Sequence, residues 1–319
     1  MGIPRIYLSR KNEEGRRKKA LVSARRAARS LACGAFFVLP SAFFLPAAAA
    51  LAAADPVPRP DAATLVREVR ARLRPDRELL SRYTYIERRE EVKVSKLGEV
   101  TEGPVKVYEV YPSLEPGNTY KRLIAVDGRP LSKGELARAD RKHQEDLRKE
   151  RETRARESAA DRRKRAAEEA RKRREREAVV DEIFEAYDVR IAGRDTIGGH
   201  ATFVAHLEPR ASHQPRSEEG QLMKKLRVKA WVSATEYELV RVEAEVIDDI
   251  TVGWGIIGRL HKGARGVYER RKVNDEIWLP ARERIQATGR ALLFRTFDLH
   301  TVTEWYDYRR VADEPRATR

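Results

Sequence analysis

The first long pattern in the chain is a set of apolar residues at helical spacing between positions 61 and 83. They recur every three or four positions, and Pro75 interrupts the run; they are Leu65, Val66, Val69, Leu73, Leu79 and Leu80. This spacing places the apolar side chains on one face of an α-helix. The pattern therefore predicts an amphipathic helix at the start of a folded domain.

After residue 83 the pattern changes to short runs that alternate or that favour β-branched and aromatic residues. Runs at 83–96, 105–111 and 120–126 are separated by turn residues and predict a three-strand meander. Later runs lie at 187–194, 201–207, 226–233, 238–247, 266–273, 278–287 and 292–309. Together they predict about nine to eleven antiparallel strands, without the βαβ rhythm of a parallel sheet.

The run at 238–247 shows the alternation most clearly. One set of positions is apolar, namely Val240, Val242, Ala244 and Val246. The intervening positions are charged, namely Arg241, Glu243 and Glu245. A sheet with one dry face and one solvated face produces this pattern. The chain is therefore predicted to be mainly β, in the α+β class.

A highly charged segment at 134–178 interrupts the strand pattern. It lacks Gly after residue 134 and Pro throughout, and its acids precede bases at i,i+4 spacing, as in Glu145 with Lys149 and Glu168 with Lys172. Such pairs stabilise an isolated helix. Because Leu136 and Leu147 are its only large apolar residues, we expect a solvated helix of about 65 Å. Its basic clusters at 162–165 and 171–174 could bind anionic lipid headgroups or nucleic acid, but the interleaved acids favour a spacer or solvated arm.

The N-terminal 54 residues have the order of a cleavable secretory signal peptide. A basic stretch at 16–29 precedes an apolar run at 31–45, and an alanine tract ends just before Asp55. We expect cleavage near Asp55 and a periplasmic protein. The alternative is an uncleaved inner-membrane anchor, which Pro40 and Pro46 disfavour. The predicted parts are thus 1–54 as signal peptide, 55–133 and 179–319 as two parts of one domain, and 134–178 as the helical insertion.

The formal net charge of +16 is unevenly distributed along the chain, and this distribution decides what it indicates about partners. Residues 1–54 hold ten basic and two acidic residues, which is half of the excess. The remaining domain is close to neutral outside the helical insertion, so the composition does not predict a nucleic-acid partner. The single cysteine, Cys33, lies in the leader. This leaves the domain without disulfides, thiolate metal sites or a cysteine nucleophile.

Motifs that carry chemistry are missing from the sequence. It contains no HExxH metal motif, no GxSxG nucleophile elbow and no phosphate-binding P-loop. Among its six histidines, His200 and His206 share one side of a predicted hairpin strand, but no carboxylate stands at ligand spacing beside them. We therefore expect no catalytic residues, no metal and no cofactor, which is typical of a binding protein rather than an enzyme.

A glycine-rich loop at 253–258 matches the dinucleotide motif GxGxxG by letters alone. The motif requires a following helix, whereas this loop leads into another strand. The loop carries the apolar residues Trp254, Ile256, Ile257 and Leu260. We expect either a lid over an apolar cavity, a tip that touches a membrane, or a plug buried under the sheet.

Three segments of the second half carry a family resemblance. They are GRDTIGGHATFVAHL at 193–207, KAWVSATEYELVRVEAEVIDD at 229–249 and NDEIWLPARERI at 274–285. They resemble the outer-membrane lipoprotein-sorting superfamily, which contains the periplasmic lipoprotein carrier, its outer-membrane receptor and a periplasmic stress sensor. They are also similar to exported proteins of soil bacteria. The resemblance covers residues 61–130 and 180–312 and implies a curved antiparallel half-barrel whose concave face takes up acyl chains.

The resulting hypothesis is a periplasmic protein that shelters an apolar ligand, such as lipoprotein acyl chains. The candidate contacts are Val240, Val242, Ala244, Val246, Trp254, Ile256, Ile257 and Leu260. The alternative is an envelope regulatory or scaffolding module that recognises another protein through its sheet edge or its charged helix.

Overall fold

The structure is a computed structural model that describes residues 57–95, 99–113, 119–252, 258–291 and 295–311. The elements described below lie in the compact unit that contains Pro58–Arg319. The predicted signal peptide at 1–54, with Cys33, lies outside the described residues, as do the loop residues Trp254, Ile256 and Ile257. Nothing in the described residues therefore tests the leader.

Two short helices open the domain, as the apolar spacing predicts. Helix α1 spans Ala62–Arg72, and helix α2 spans Asp76–Leu80 after the proline. Asp61 caps α1 because its Oδ1 accepts a hydrogen bond from the Thr64 N–H at 2.8 Å. The apolar side of α1 is buried, with Leu65 only 2% exposed.

Thirteen strands form one antiparallel sheet within the described residues. They are β1 (Tyr83–Val94), β2 (Val100–Tyr111), β3 (Tyr120–Val126), β4 (Arg129–Pro130), β5 (Tyr187–Ile197), β6 (His200–Pro209), β7 (Leu226–Ser233), β8 (Leu239–Val246), β9 (Ile250–Val252), β10 (Gly258–Leu260), β11 (Arg265–Val273), β12 (Ile277–Ala291) and β13 (Arg295–Arg310). Their order is β4-β3-β2-β1-β13-β12-β11-β8-β7-β6-β5, and β10 joins β9 to the end of β12. The fold is a curved half-barrel, open between the edge strands β4 and β5.

The sequence prediction of a mainly β fold is confirmed, and so are the two clearest hairpins. Gly198 and Gly199, at φ 56° and 83°, connect β5 to β6. Asn274 and Asp275, at φ 52° and 53°, connect β11 to β12. Such left-handed two-residue turns match the twist of the flanking strands. The strand number exceeds the expected range because β4, β9 and β10 have only two or three residues each.

The charged insertion is helical, but it is not one unbroken helix. It forms α3 (Lys133–Ala155) and α4 (Ala159–Glu185). A second helix begins after Ser158, which is its N-cap: the Ser158 Oγ accepts a hydrogen bond from the Asp161 N–H at 3.1 Å. The prediction of a single 65 Å rod is therefore wrong. None of the described helices combines the length and the apolar content that crossing a bilayer requires.

The two insertion helices connect opposite edges of the sheet. Helix α3 follows the edge strand β4, and α4 leads into the other edge strand, β5. The start of α3 is fixed to β3, where the Tyr120 hydroxyl donates to Asp140 at 2.7 Å and the Tyr120 ring stacks on His143 at 3.9 Å. The insertion is thus held at its beginning as well as at its end.

The end of α4 is anchored by a buried carboxylate. Glu182 is 2% exposed and accepts hydrogen bonds from the Arg216 N–H at 2.6 Å and from the Ser217 hydroxyl. Ser217 in turn caps α5 (Glu218–Met223). A Cβ at Gly220 would collide with this carboxylate. The contacts give Glu182 a structural role in closing the domain over β5 to β7.

Candidate ligand-binding face

Helices α1 and α2 pack on the same side of the sheet, which we name the helical face. Leu65 of α1 packs against Phe203 of β6. Asp76 of α2 accepts a 2.6 Å hydrogen bond from the Tyr268 hydroxyl of β11. Cross-strand partners point to the same side of a sheet, so the strand register extends this face from β5 to β3. The opposite side is named the outer face.

From β8 to β13, the outer face carries ion pairs between neighbouring strands. Arg241 of β8 pairs with Glu269 of β11 at 3.3 Å, and Arg284 of β12 pairs with the same carboxylate at 3.2 Å. Glu304 of β13 pairs with Arg282 at 3.5 Å. Exposed pairs of this kind add little stability but keep the face in water. This confirms the charged side of the alternation.

The helical face is fully covered only over part of the sheet. Under α1, the side chains of Phe203 and Val232 are 0% and 2% exposed and form a closed apolar core. Across β12 and β13, by contrast, Ile285, Leu299 and Thr301 stay partly exposed. We name this part, from β12 through β13 and β1 to β3, the open half of the helical face; at one end of it, α2 covers Tyr83 and Leu279.

An apolar cluster occupies one end of the open half. Its buried members are Val246, Ala264 and Ala287, and its partly buried members are Leu226, Ile250, Leu260, Ile285 and Phe297. Gly289 faces Phe297 across the strand pair, and a Cβ there would lie 2.5 Å from the Phe297 ring. The Phe297 ring therefore lies directly against the glycine.

A charged cluster around Glu87 occupies the other end. Glu87 of β1 is 3% exposed, and its two carboxylate oxygens accept hydrogen bonds from Lys121 Nζ of β3 at 2.8 and 2.6 Å. The Trp305 indole N–H donates to the same carboxylate at 3.3 Å. Arg89 Nη1 lies 3.5 Å away. A buried carboxylate is stable only with such partners.

Further polar groups surround this cluster. The Tyr108 hydroxyl of β2 donates to Glu91 at 3.2 Å. Burial raises the pKa of the Glu283 carboxyl of β12 above its ordinary value, while Arg89 opposes that rise. Burial also raises the pKa of the Tyr108 phenol, which therefore stays a hydrogen-bond donor at neutral pH. The cluster therefore contains hydrogen-bond donors and acceptors, and both positive and negative groups, in a partly buried environment.

Polarity changes along β12 and β13 in a regular way. The cross-strand pairs on the helical face are Glu283 with Thr303, Ile285 with Thr301, Ala287 with Leu299 and Gly289 with Phe297. Six residues of strand cover about 20 Å. Over that distance the face passes from a carboxylate and hydroxyls to purely apolar side chains.

The predicted site residues are distributed over both faces. Val242, Ala244 and Val246 lie on the helical face, and Val246 joins Leu260 in the apolar cluster. Val240 lies on the outer face instead, 1% exposed and packed against Trp231 and Trp278. The cause is a β-bulge opposite Trp231 and Val232 that adds one residue to β8. The expected common face therefore holds for three of the four, and a ligand-binding role for all of them remains a prediction.

Sequence reasoning missed the charged cluster. The signal that could have revealed it is in β1, where neither set of alternating positions is apolar: Tyr85, Glu87, Arg89 and Glu91 share one side. A strand that crosses the middle of a sheet with charges on both sides indicates a polar interior. In the described ranges, no three His, Cys, Asp or Glu side chains are arranged to hold a metal ion.

Comparison with known proteins gives distant structural likenesses only. No protein-family model matches the sequence, and no curated protein matches it. The structure is similar to a LolA superfamily protein from Nitrosomonas europaea at 10% identity and a TM-score of 0.29, over 81% of this chain and 96% of that chain. It is also similar to an outer membrane lipoprotein-sorting protein domain from Vibrio parahaemolyticus at 9% identity and a TM-score of 0.31, over 79% and 93%.

A third likeness is to MucB, solved in complex with MucA(peri), at 10% identity and a TM-score of 0.21, over 79% of this chain and 100% of that one. At such identities and scores, the likenesses carry no information on the ligand or on site residues.

Proposed function

We propose that the open half of the helical face binds an amphiphilic lipid. Its acyl chain would lie along β12 and β13 against Ile285, Leu299 and Phe297. Its polar group would lie beside Glu87, Lys121 and Trp305. The observation that carries the proposal is the change from charged to apolar side chains along these strands, on a part of the face that α1 and α2 leave partly exposed.

The energetics favour an acyl chain over a compact apolar ligand. Each buried methylene contributes about 0.8 kcal/mol, so a long chain gains from the length of the strip. A pure hydrocarbon cannot form hydrogen bonds with the charged end. Covering that end with hydrocarbon would desolvate its charged groups without replacing their bonds to water. A molecule with one polar and one apolar end suits both parts. Lipoprotein acyl chains are one member of this class.

Lipid binding is tested with purified protein and a fluorescent fatty acid. We expect saturable binding to the protein, and lipid in its solvent extract by mass spectrometry. Ile285→Asp should weaken binding at least about tenfold, because it puts a charge in the chain's path. Val267→Asp is the matched control, since Val267 lies on the outer face of the neighbouring strand beside Arg284. Equal loss in both variants, or no binding by the unchanged protein, would refute the proposal.

Export is the second part of the proposal, and it is supported by the order of the leader. We propose that the chain enters the periplasm and is cleaved near Asp55. Fractionation of the producing bacterium and the intact mass of the recovered protein test this. A protein that remains in the cytoplasm at full length would contradict it.

A regulatory function is the other candidate, and the edge strand β5 favours it. β5 has eleven residues and lies at the end of the sheet, whereas the opposite edge strand, β4, has only two residues and includes Pro130. A long uncovered edge can accept a strand from another protein. Amide hydrogen exchange separates the two functions: a strand-adding partner would protect β5, whereas a lipid would protect β12 and β13.

A further inference from the structure

The charges of α4 are not evenly distributed around the helix. Its carboxylates pair with bases on one side, as Glu168 does with Lys172 at 2.7 Å and Glu175 with Arg171 at 3.0 Å. Glu157, just before the helix, pairs with Arg165 at 2.8 Å. With about 3.6 residues per turn, these paired residues fall on one half of the helix surface. That half is nearly neutral.

The other half carries arginines without acidic partners. Arg162, Arg163, Arg173 and Arg174 are exposed, and within the described ranges no ion pair joins any of the four to a carboxylate side chain. Arg162 Nη1 donates a hydrogen bond to the Glu157 carbonyl oxygen at 3.0 Å, and Glu177 lies on the same side of the helix one turn after Arg173. Eleven residues separate Arg162 from Arg173 and Arg163 from Arg174, which is close to three full turns and about 16 Å of rise. The four guanidinium groups therefore form two pairs on one side of α4. We name this surface the arginine face.

Small residues lie between the two pairs. Ala166 and Ala170 fall on the same side of α4 as the arginines. Alanines let the helix approach a flat surface, while long arginine side chains can extend to either side of it. The arginine face has no aromatic or large apolar side chain, whereas the hot spots of protein interfaces combine arginine with buried aromatic residues. Its chemistry therefore fits a flat array of negative charges better than a protein groove.

Phosphodiester groups are the anions that arginine binds best. The planar guanidinium donates two parallel hydrogen bonds to phosphate oxygens. A bilayer rich in anionic phospholipids presents such groups as a continuous flat array and needs no shape complementarity. We propose that the arginine face of α4 docks the protein on the surface of an anionic phospholipid bilayer. This contact is separate from lipid binding on the helical face.

The docking surface has a consequence for the domain. Helices α3 and α4 are attached to opposite edges of the sheet, through Tyr120 and Asp140 at one end and through Glu182 at the other. A bilayer contact through α4 is therefore transmitted to a domain that the insertion holds from both sides.

The test uses the full chain and vesicles of phosphatidylglycerol mixed with phosphatidylcholine. The variant R162Q/R163Q/R173Q/R174Q removes four charges from the arginine face. The control K164Q/R165Q/R171Q/K172Q removes four charges from the paired side. Both have the same net charge and the same leader, and circular dichroism verifies that both remain helical. Each arginine near an anionic surface contributes about fivefold in affinity, so the first variant should bind at least about tenfold more weakly than the control.

A positional readout supplements the affinities. In a Cys33→Ser background, a dye on Ala166→Cys should be quenched by vesicles with a headgroup-bound quencher more strongly than the same dye on Glu168→Cys. Equal binding of the two charge variants, equal quenching at the two positions, or a preference for double-stranded DNA over the vesicles would each overturn the proposal.

Discussion

The helical face has two halves that resemble each other in strand pattern and differ in what covers them. Where α1 packs on the sheet, Leu65 of the helix and Phe203 below it are 2% and 0% exposed and belong to one apolar cluster. In the open half, partly exposed apolar residues lie beside the buried charge of Glu87. The comparison teaches that alternation alone does not distinguish a core from a binding surface, because the difference comes from the helix that covers one half.

The charge in the open half makes the contrast sharper. Burying an ion pair costs desolvation free energy that its attraction often fails to recover. Here the Glu87 side chain is 4% exposed and the Lys121 side chain 41% exposed, so the desolvation cost falls mainly on the carboxylate. Retaining the charges therefore favours a role beyond stability, which is the proposed recognition of a lipid's polar group.

The largest expected loss of stability comes from a substitution in the part of the helical face that α1 covers. Phe203→Ala should lower the free energy of unfolding by about 3 to 5 kcal/mol, since it leaves a cavity in a closed core. Ile285→Ala should lower it by only about 1 kcal/mol, because that side chain is already partly exposed. Urea denaturation measures both. Equal losses would mean that the open half is core as well.

The next prediction concerns the ion pair between Glu87 and Lys121. Lys121→Met should lower the free energy of unfolding by about 1 to 3 kcal/mol, because Glu87 then loses its nearest charge partner. The double variant Glu87→Gln/Lys121→Met should recover much of that loss. A thermodynamic cycle over the single and double variants measures the coupling, and a coupling near zero would contradict a supporting role for Lys121.

Two glycine substitutions test the packing at the apolar end. Gly289→Ala should lower the free energy of unfolding by about 1 to 3 kcal/mol, since the new Cβ meets Phe297 and Arg259 O. Gly266→Ala on the neighbouring strand is the control, because nothing lies within 4 Å of its Cβ position. Thermal unfolding of the two variants checks this, and similar melting temperatures would argue against the described packing of Phe297.

The smallest effect depends on pH. Burial raises the folded-state pKa of Glu283, so its protonated form is favoured in the folded protein and its contribution to stability is lost as pH rises through that pKa. Glu283→Gln should remove this loss, so the free energy of unfolding of the variant should fall less between pH 4 and pH 7 than that of the unchanged protein. Unfolding curves across pH 4 to 7 provide the measurement. A variant that follows the unchanged protein at every pH would exclude Glu283 as the source.

Sequence patterns predicted local structure well and tertiary placement less well. The left-handed turns at Gly198-Gly199 and Asn274-Asp275 were readable because few residues adopt that backbone. The break at Ser158 has a local signal as well, a serine followed three residues later by Asp161, which the dense i,i+4 pairs obscured. The bulge that moves Val240 to the outer face has no such signal, because it depends on pairing with β7.

The candidate site needed the structure for a similar reason. Glu87 and Lys121 are thirty-four residues apart in the sequence. Their strands, β1 and β3, lie on either side of β2, and the two side chains meet across it. Trp305 reaches them from the C-terminal strand. No spacing along the chain encodes such a meeting. The apolar end was only partly predicted, through Val246 and Leu260.

The orientation of a bound fatty acid tests the central claim most directly. Two brominated fatty acids, one with bromine near the carboxyl and one with bromine near the methyl end, are compared as quenchers of tryptophan fluorescence. The proposed orientation predicts stronger quenching by the carboxyl-proximal bromine, and loss of that difference in Trp305→Phe. Stronger quenching of Trp305 by the methyl-end bromine, or no quenching by either, would contradict it.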